Sequence, residues 1–265
     1  MRVEVMFAKF RINIDDVRKI NASSTTGGIV NVGTYLLVES CADALRQLIE
    51  NEQGIIDGEK LKKDFFPTKD KKKFNVFISH SHSDIKEIEK FANILHKEYG
   101  VNCFVDSMVW KDIADLQYEI DDRYSRNTNG ALDYKAVQQS TAHIHSLLSM
   151  ALFEMIDQCE CCIFVQSDNS LTLDFNNTLT LSPWIYEEIF YMNHTKDEMP
   201  IRLKEHYQKV LNETRLFDSG IKMNHVVDLK GFMPLSQSYL DRSVQGDACL
   251  TRLYVRSHLI AAKHC

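Results

Sequence analysis

The stretch KKKFNVFISHSHSD, Lys71 to Asp84, decides how the rest of the chain is read. Phe74 to Ile78 is a compact apolar run with the composition of a buried strand. It ends in Ser79, His80, Ser81, His82 and Ser83, not in the Gly, Pro, Asn or Asp of an ordinary turn. Hydroxyls and imidazoles at a strand end suggest a surface that touches something. Immediately downstream, Asp84 is placed to cap a helix whose Ile85, Ile88, Phe91, Ala92 and Leu95 recur on one face. Gly100 ends that helix, and Val101 to Val105 is a second apolar run. Strand, helix and strand within about 30 residues form the parallel, right-handed crossover of an α/β sheet.

The pattern continues outward. DSMVW, Asp106 to Trp110, follows the second strand, and HIHSLLSMALFEMID, His143 to Asp157, is an amphipathic helix. CCIFVQS, Cys161 to Ser167, is a third buried strand. After a loop, LSPWIYEEIFYM opens a helix with Ser182 at the N-cap and Pro183 at N1. In an open parallel sheet, ligands bind at the carboxyl ends of the strands. Ser79, His80 and Ser81, Asp106 and Ser107, and Ser167 and Asp168 all fall at such ends, so they are expected on one rim with the N-terminus of the Ser182 helix. On that helix Trp184 and Glu188 share a face, with Glu188 at the edge of the Ile185, Ile189 and Met192 stripe. Glu187 and Glu188 diverge by about 100° around the axis and cannot act as a carboxylate pair. The bland alternative is that both acids only complement the helix N-terminus.

Composition bounds the possible partners. The chain has 265 residues, 44% of them hydrophobic and 26% charged, enough for one large domain or one domain plus an extension. No apolar run approaches the roughly 20 residues that cross a bilayer, and the start, MRVEVMFAKF, lacks a signal-peptide core. Seven cysteines scattered from Cys41 to Cys265 fit reduced thiols, so the expectation is a cytoplasmic protein without a membrane partner. A net charge of -6 argues against nucleic acid as a partner. The basic cluster from Lys69 to Lys73 follows FFPT and reads as a solvated linker. Residues 1–70 are therefore expected to be a partly helical N-terminal extension, with ADALRQLIENE as one helix, and 71–265 the main domain.

These segments also resemble a known family. FNVFISHSHSD resembles the first box of Toll/interleukin-1 receptor (TIR) domains, VNCFVDSMVW occupies the place of their second strand and its loop, and SPWIYEEI resembles their serine, tryptophan and glutamate motif. The resemblance covers about Phe74 to Asp241 and implies an α/β, flavodoxin-like parallel sheet with helices on both faces. STAHIHSLLSMAL and a helical insert around 111–140 are similar to a bacterial TIR subgroup of antiphage defence, the Thoeris type, which makes a nucleotide signal from NAD. In NAD-cleaving members the catalytic glutamate lies four residues after the tryptophan, which here is Glu188.

The resemblance thus implies NAD+ as substrate with no cofactor, self-association through TIR domains, and a downstream effector that senses the product. Ser79, His80, Ser81, Asp106, Ser107, Trp110 and Trp184 are the expected substrate-binding residues, Trp110 by stacking on a base. Losing nicotinamide creates a ribosyl cation-like transition state that one carboxylate can stabilise, favoured as an anion by the helix N-terminus. The receptor-type loop of arginine, aspartate, proline and glycine is absent, as is a phenylalanine-tryptophan third box.

Other features have plainer readings. His80 with His82, and His143 with His145, complete no ligand set of standard spacing, so no metal is expected. CECC, Cys159 to Cys162, is the start of a buried strand, and His145 is more simply a capped or core-facing residue than one reaching the rim. Neither GxGxxG nor GxxxxGK[ST] occurs, which removes the Rossmann dehydrogenase and P-loop classes. Three classes stand: an enzyme cleaving NAD+, a non-catalytic TIR assembly module, and a nucleoside glycosidase or deoxyribosyltransferase.

Overall fold

The computed structural model describes residues 6–24, 56–66, 74–105, 113–174, 177–195, 199–200, 202–203 and 228–257. The chain divides into two compact units. The first comprises Met1–Val32, Lys73–Asp106 and Ile156–Cys265, and the second comprises Gly33–Lys72 and Ser107–Met155. In chain order the described elements are β1 (Ala8–Asn13), α1 (Ile14–Ser23), α2 (Gly58–Phe65), β2 (Val76–Ser79), α3 (Ile85–Tyr99) and β3 (Cys103–Val105). They continue with α4 (Ile113–Tyr124), α5 (Tyr134–Gln158), β4 (Cys161–Gln166), β5 (Thr172–Asp174), β6 (Asn177–Leu179), α6 (Pro183–His194), β7 (Met233–Pro234) and α7 (Asp247–Arg256). The expected helix at ADALRQLIENE and the DSMVW loop lie outside the described residues.

The first unit is built on a five-stranded sheet in the order β3-β2-β4-β1-β7. Every pairing in it is parallel. β2, β3 and β4 are the three apolar runs expected from the sequence, each slightly shorter than its run. β1 corrects the expectation that residues 1–70 stand apart from the main domain. Ala8–Asn13 lies between β4 and β7, with Ala8 opposite Cys161 and Asn13 opposite Gln166. Its AKFRIN alternates buried and more exposed positions, and α1, which follows directly, packs on α3. There Asn21 Nδ2 donates to the Glu87 backbone oxygen and carboxylate at 3.0 and 2.9 Å. A strand's partner over one hundred residues away leaves no mark in local composition, so the segment read as peripheral.

Local chemistry sets the element ends. Gly100 closes α3 at φ +64°, the left-handed conformation that glycine adopts without a Cβ penalty. A Cβ there would also meet Gln245 Cβ at 2.8 Å and the Gly246 nitrogen at 3.0 Å, so the close approach itself excludes a side chain. Ser182 caps α6 by accepting from the Ile185 N–H at 3.2 Å, and Pro183 takes the first helical position, as expected. Asp84 is different. The expected side-chain cap is absent because a 3-10 turn, His82–Asp84, precedes α3 and turns the Asp84 carboxylate elsewhere. Between β4 and α6 the expected loop contains a short antiparallel hairpin, β5 against β6.

In the second unit, α4 and α5 are joined by the buried carboxylate of Asp121. It accepts from Ser140 Oγ at 2.5 Å, Gln117 Nε2 at 2.7 Å and Ser125 Oγ at 2.8 Å. Burial works against the Asp121 anion, but these three donors outweigh it and lower its pKa. Among the described residues no helix is long and apolar enough to cross a membrane.

Candidate functional site

The carboxyl end of β2 is where the distant polar segments meet. Ser79 Oγ donates to Glu188 Oε2 at 2.5 Å, joining residues 109 positions apart in the sequence. Both side chains are 0% exposed. On α6 the buried positions are Ile185, Glu188, Ile189 and Met192. Glu188 therefore lies inside the apolar stripe and not at its edge, a correction that follows from the i, i+3, i+4, i+7 rhythm it completes. Glu187 takes the other direction and accepts from the Tyr191 hydroxyl at 2.8 Å. The two neighbouring acids thus have separate environments.

α6 runs opposite to the strands. Glu188 meets Ser79 at the end of β2, whereas one turn later the Met192 carbonyl accepts from Lys9 Nζ at 3.2 Å, two residues below the level of Arg11 on β1. The N-terminus of α6 consequently projects past the carboxyl ends of the strands. Glu188 itself is the sixth helical residue, in the second turn, beyond the first turn in which terminal dipole effects concentrate. Its carboxylate accepts from the Ser79 hydroxyl, and the terminal amides are engaged nearer Ser182.

Asp84 makes the second link across the rim. Its carboxylate accepts from Ser167 Oγ at 2.5 Å and from Asn169 Nδ2 at 2.9 Å, tying the turn after β2 to the turn after β4. Ser79 and His80 are buried, the latter 2% exposed, so the expected contact surface lies farther along at half-buried Ser81 and exposed His82. The His80 and His82 rings run nearly parallel with centroids 6.4 Å apart. Trp184 is half-buried one turn above Glu188. Asp106, Ser107 and Trp110 lie outside the described residues. Among the described residues no group of three His, Cys, Asp or Glu side chains is arranged to hold a metal.

The amino end of β4 carries a separate network that sequence reading missed. Glu160, fully buried, accepts from Arg202 through both terminal nitrogens and from the Tyr254 hydroxyl at 2.8 Å. Burial, and then the Glu160 charge, push the Tyr254 phenol well above its usual range, so it stays neutral and donates. This bidentate pair sits at the opposite end of the sheet from Glu188 and serves packing. Cys103, Cys159, Cys161 and Cys162 are buried thiols whose pKa values burial raises, which leaves them unreactive. His145 is exposed on α5 in the second unit.

Fold and site together define an α/β protein with a parallel sheet and a cluster of polar strand ends around the buried carboxylates of Glu188 and Asp84. No family model, curated protein or solved structure matches the chain.

Proposed function

We propose that the chain is a TIR-type enzyme that cleaves the bond between nicotinamide and ribose in NAD+. The observation that carries this reading is the Ser79 to Glu188 hydrogen bond, which unites the first and last of the three motif segments at the carboxyl end of a parallel sheet. The sheet order supports it as well: β3-β2-β4 follows the 2-1-3 start of the flavodoxin-like arrangement, with β1 in the fourth position.

In the reaction the C1′–N bond breaks and nicotinamide leaves as a neutral base with the bonding electrons. Positive charge develops on the ribose carbon and ring oxygen, and the Glu188 carboxylate stabilises it in surroundings of low dielectric. Water then attacks C1′ and releases a proton, giving ADP-ribose. Attack by a nucleophile within the same molecule gives a cyclic product, and attack by a second molecule gives a conjugate. No general acid is needed, which fits a site with one suitable carboxylate. Because Glu188 is fully buried, substrate access requires the Ser79 to Glu188 contact to open, and self-association is the proposed trigger. The product would be a signal read by a partner effector in bacterial antiphage defence.

The complete burial of Glu188 also favours a second reading, a non-catalytic assembly module in which the carboxylate only orders the end of β2. Incubating the full chain with NAD+ over a range of protein concentrations, with products identified by mass spectrometry, separates the two. Release of nicotinamide supports the enzyme; assembly without product at any concentration supports the module.

A further inference from the structure

Arg11 lies in the N-terminal strand, outside the segments that carry the family resemblance. Its register places it in one row with the site: Ser79 pairs with Phe164, and Phe164 pairs with Arg11. Laterally paired residues of a parallel sheet point to the same face, so Arg11 shares the face of Ser79 and Glu188. Two strand spacings put its Cα about 10 Å from that of Ser79. β1 is an interior strand flanked by β4 and β7, where a parallel sheet is normally covered on both faces, yet Arg11 is exposed.

The path of α6 explains the opening. Glu188 of α6 meets β2 at Ser79 and the Met192 carbonyl meets β1 at Lys9, so among the described residues the helix reaches β1 below the level of Arg11, and Arg11 and Asn13 stay exposed. One row higher, exposed Asn13 and half-buried Gln166 continue the same face. No described residue accepts a hydrogen bond from the Arg11 guanidinium, whereas Lys9 is occupied with the Met192 carbonyl. The adjacent acids of α1 are engaged as well, Asp15 by Arg18 at 2.8 Å and Asp16 by Lys19 at 2.7 Å. What remains is a solvent-exposed planar cation on the face of Ser79, suited to bidentate recognition of phosphate.

We propose that Arg11 is the phosphate-binding residue of this site and holds the diphosphate of a nucleotide whose ribose lies toward Glu188. The assignment of that nucleotide as NAD+ rests on the enzymatic reading above.

The test uses ADP as a non-reacting probe, titrated by calorimetry into the full chain and into its Arg11→Ala and Arg11→Lys variants. ADP should bind the wild type and bind Arg11→Ala at least about tenfold more weakly, with Arg11→Lys between them. Because Arg11 is exposed, its variants should melt with the wild type, which separates lost binding from lost folding. Equal ADP affinity in Arg11→Ala, or no binding to the wild type at millimolar ADP, overturns the proposal. Arg11-dependent ADP binding without NAD+ cleavage supports the phosphate site and removes only the NAD+ reading. NAD+ cleavage with unchanged KM in Arg11→Ala does the reverse.

Discussion

Glu188 and Glu187 are adjacent acids with unequal surroundings, and that inequality is the sharpest residue-scale test. Glu188 is fully buried against Ser79, while Glu187 is partly exposed and engaged by Tyr191. Glu188→Gln should lower NAD+ cleavage at least about a hundredfold, as loss of a preorganised electrostatic group commonly does. Glu187→Gln should change it little. Nicotinamide release by the two purified variants decides the matter, and equal loss in both would remove Glu188 from its assigned role. Ser79→Ala probes the same pair through folding. It withdraws a donor from a buried carboxylate and should cost about 1–3 kcal/mol in chemical denaturation.

Among the elements, the junctions at the amino end of the sheet depend on a few backbone positions. Gly100 combines a left-handed φ with a close neighbour, Gln245 Cβ, at 2.8 Å from any added Cβ. Gly100→Ala should therefore destabilise the first unit by at least about 1–2 kcal/mol, seen as a lower denaturation midpoint with an unchanged slope. The segment leading into α7 is held at Asp241, which accepts from the Ser243 hydroxyl and from Arg252 and Arg256. The Ser243 hydroxyl first, and then Arg252, hold this carboxyl well below the usual carboxylate range. Its folded pKa is depressed, so its contribution is complete above the unfolded value near about 4 and is lost as pH falls through the folded value. Asp241→Asn should accordingly flatten the acid limb of the stability profile, measured as Tm against pH from 7 downward; an unchanged limb would show that Asp241 does not contribute to it.

At the scale of the whole molecule, β1 makes the first unit depend on the start of the chain. A chain truncated to residues 74–265 lacks the strand between β4 and β7 and exposes the β4 edge. It should not fold cooperatively, whereas an independent extension could be removed without harm. Circular dichroism and a denaturation curve of the truncated chain distinguish these outcomes. The proposed self-association makes a separate prediction: specific activity should rise with protein concentration, and a flat profile across a wide range would indicate a self-sufficient site.

The chain's local chemistry determined the elements themselves. Apolar runs such as FNVFIS and CCIFVQS are strands, Gly100 stops a helix, Ser182 and Pro183 start one, and the polar strand ends mark a rim. Each of these depends on residues within a turn or two of one another. Tertiary structure alone decided that Ala8–Asn13 joins the sheet, that Asp84 bridges two turns instead of capping a helix, that Glu188 is enclosed, and that Arg11 shares its face. Those outcomes depend on the register between strands distant in sequence and on the angle at which α6 crosses them, and neither quantity is encoded in a local pattern of side chains.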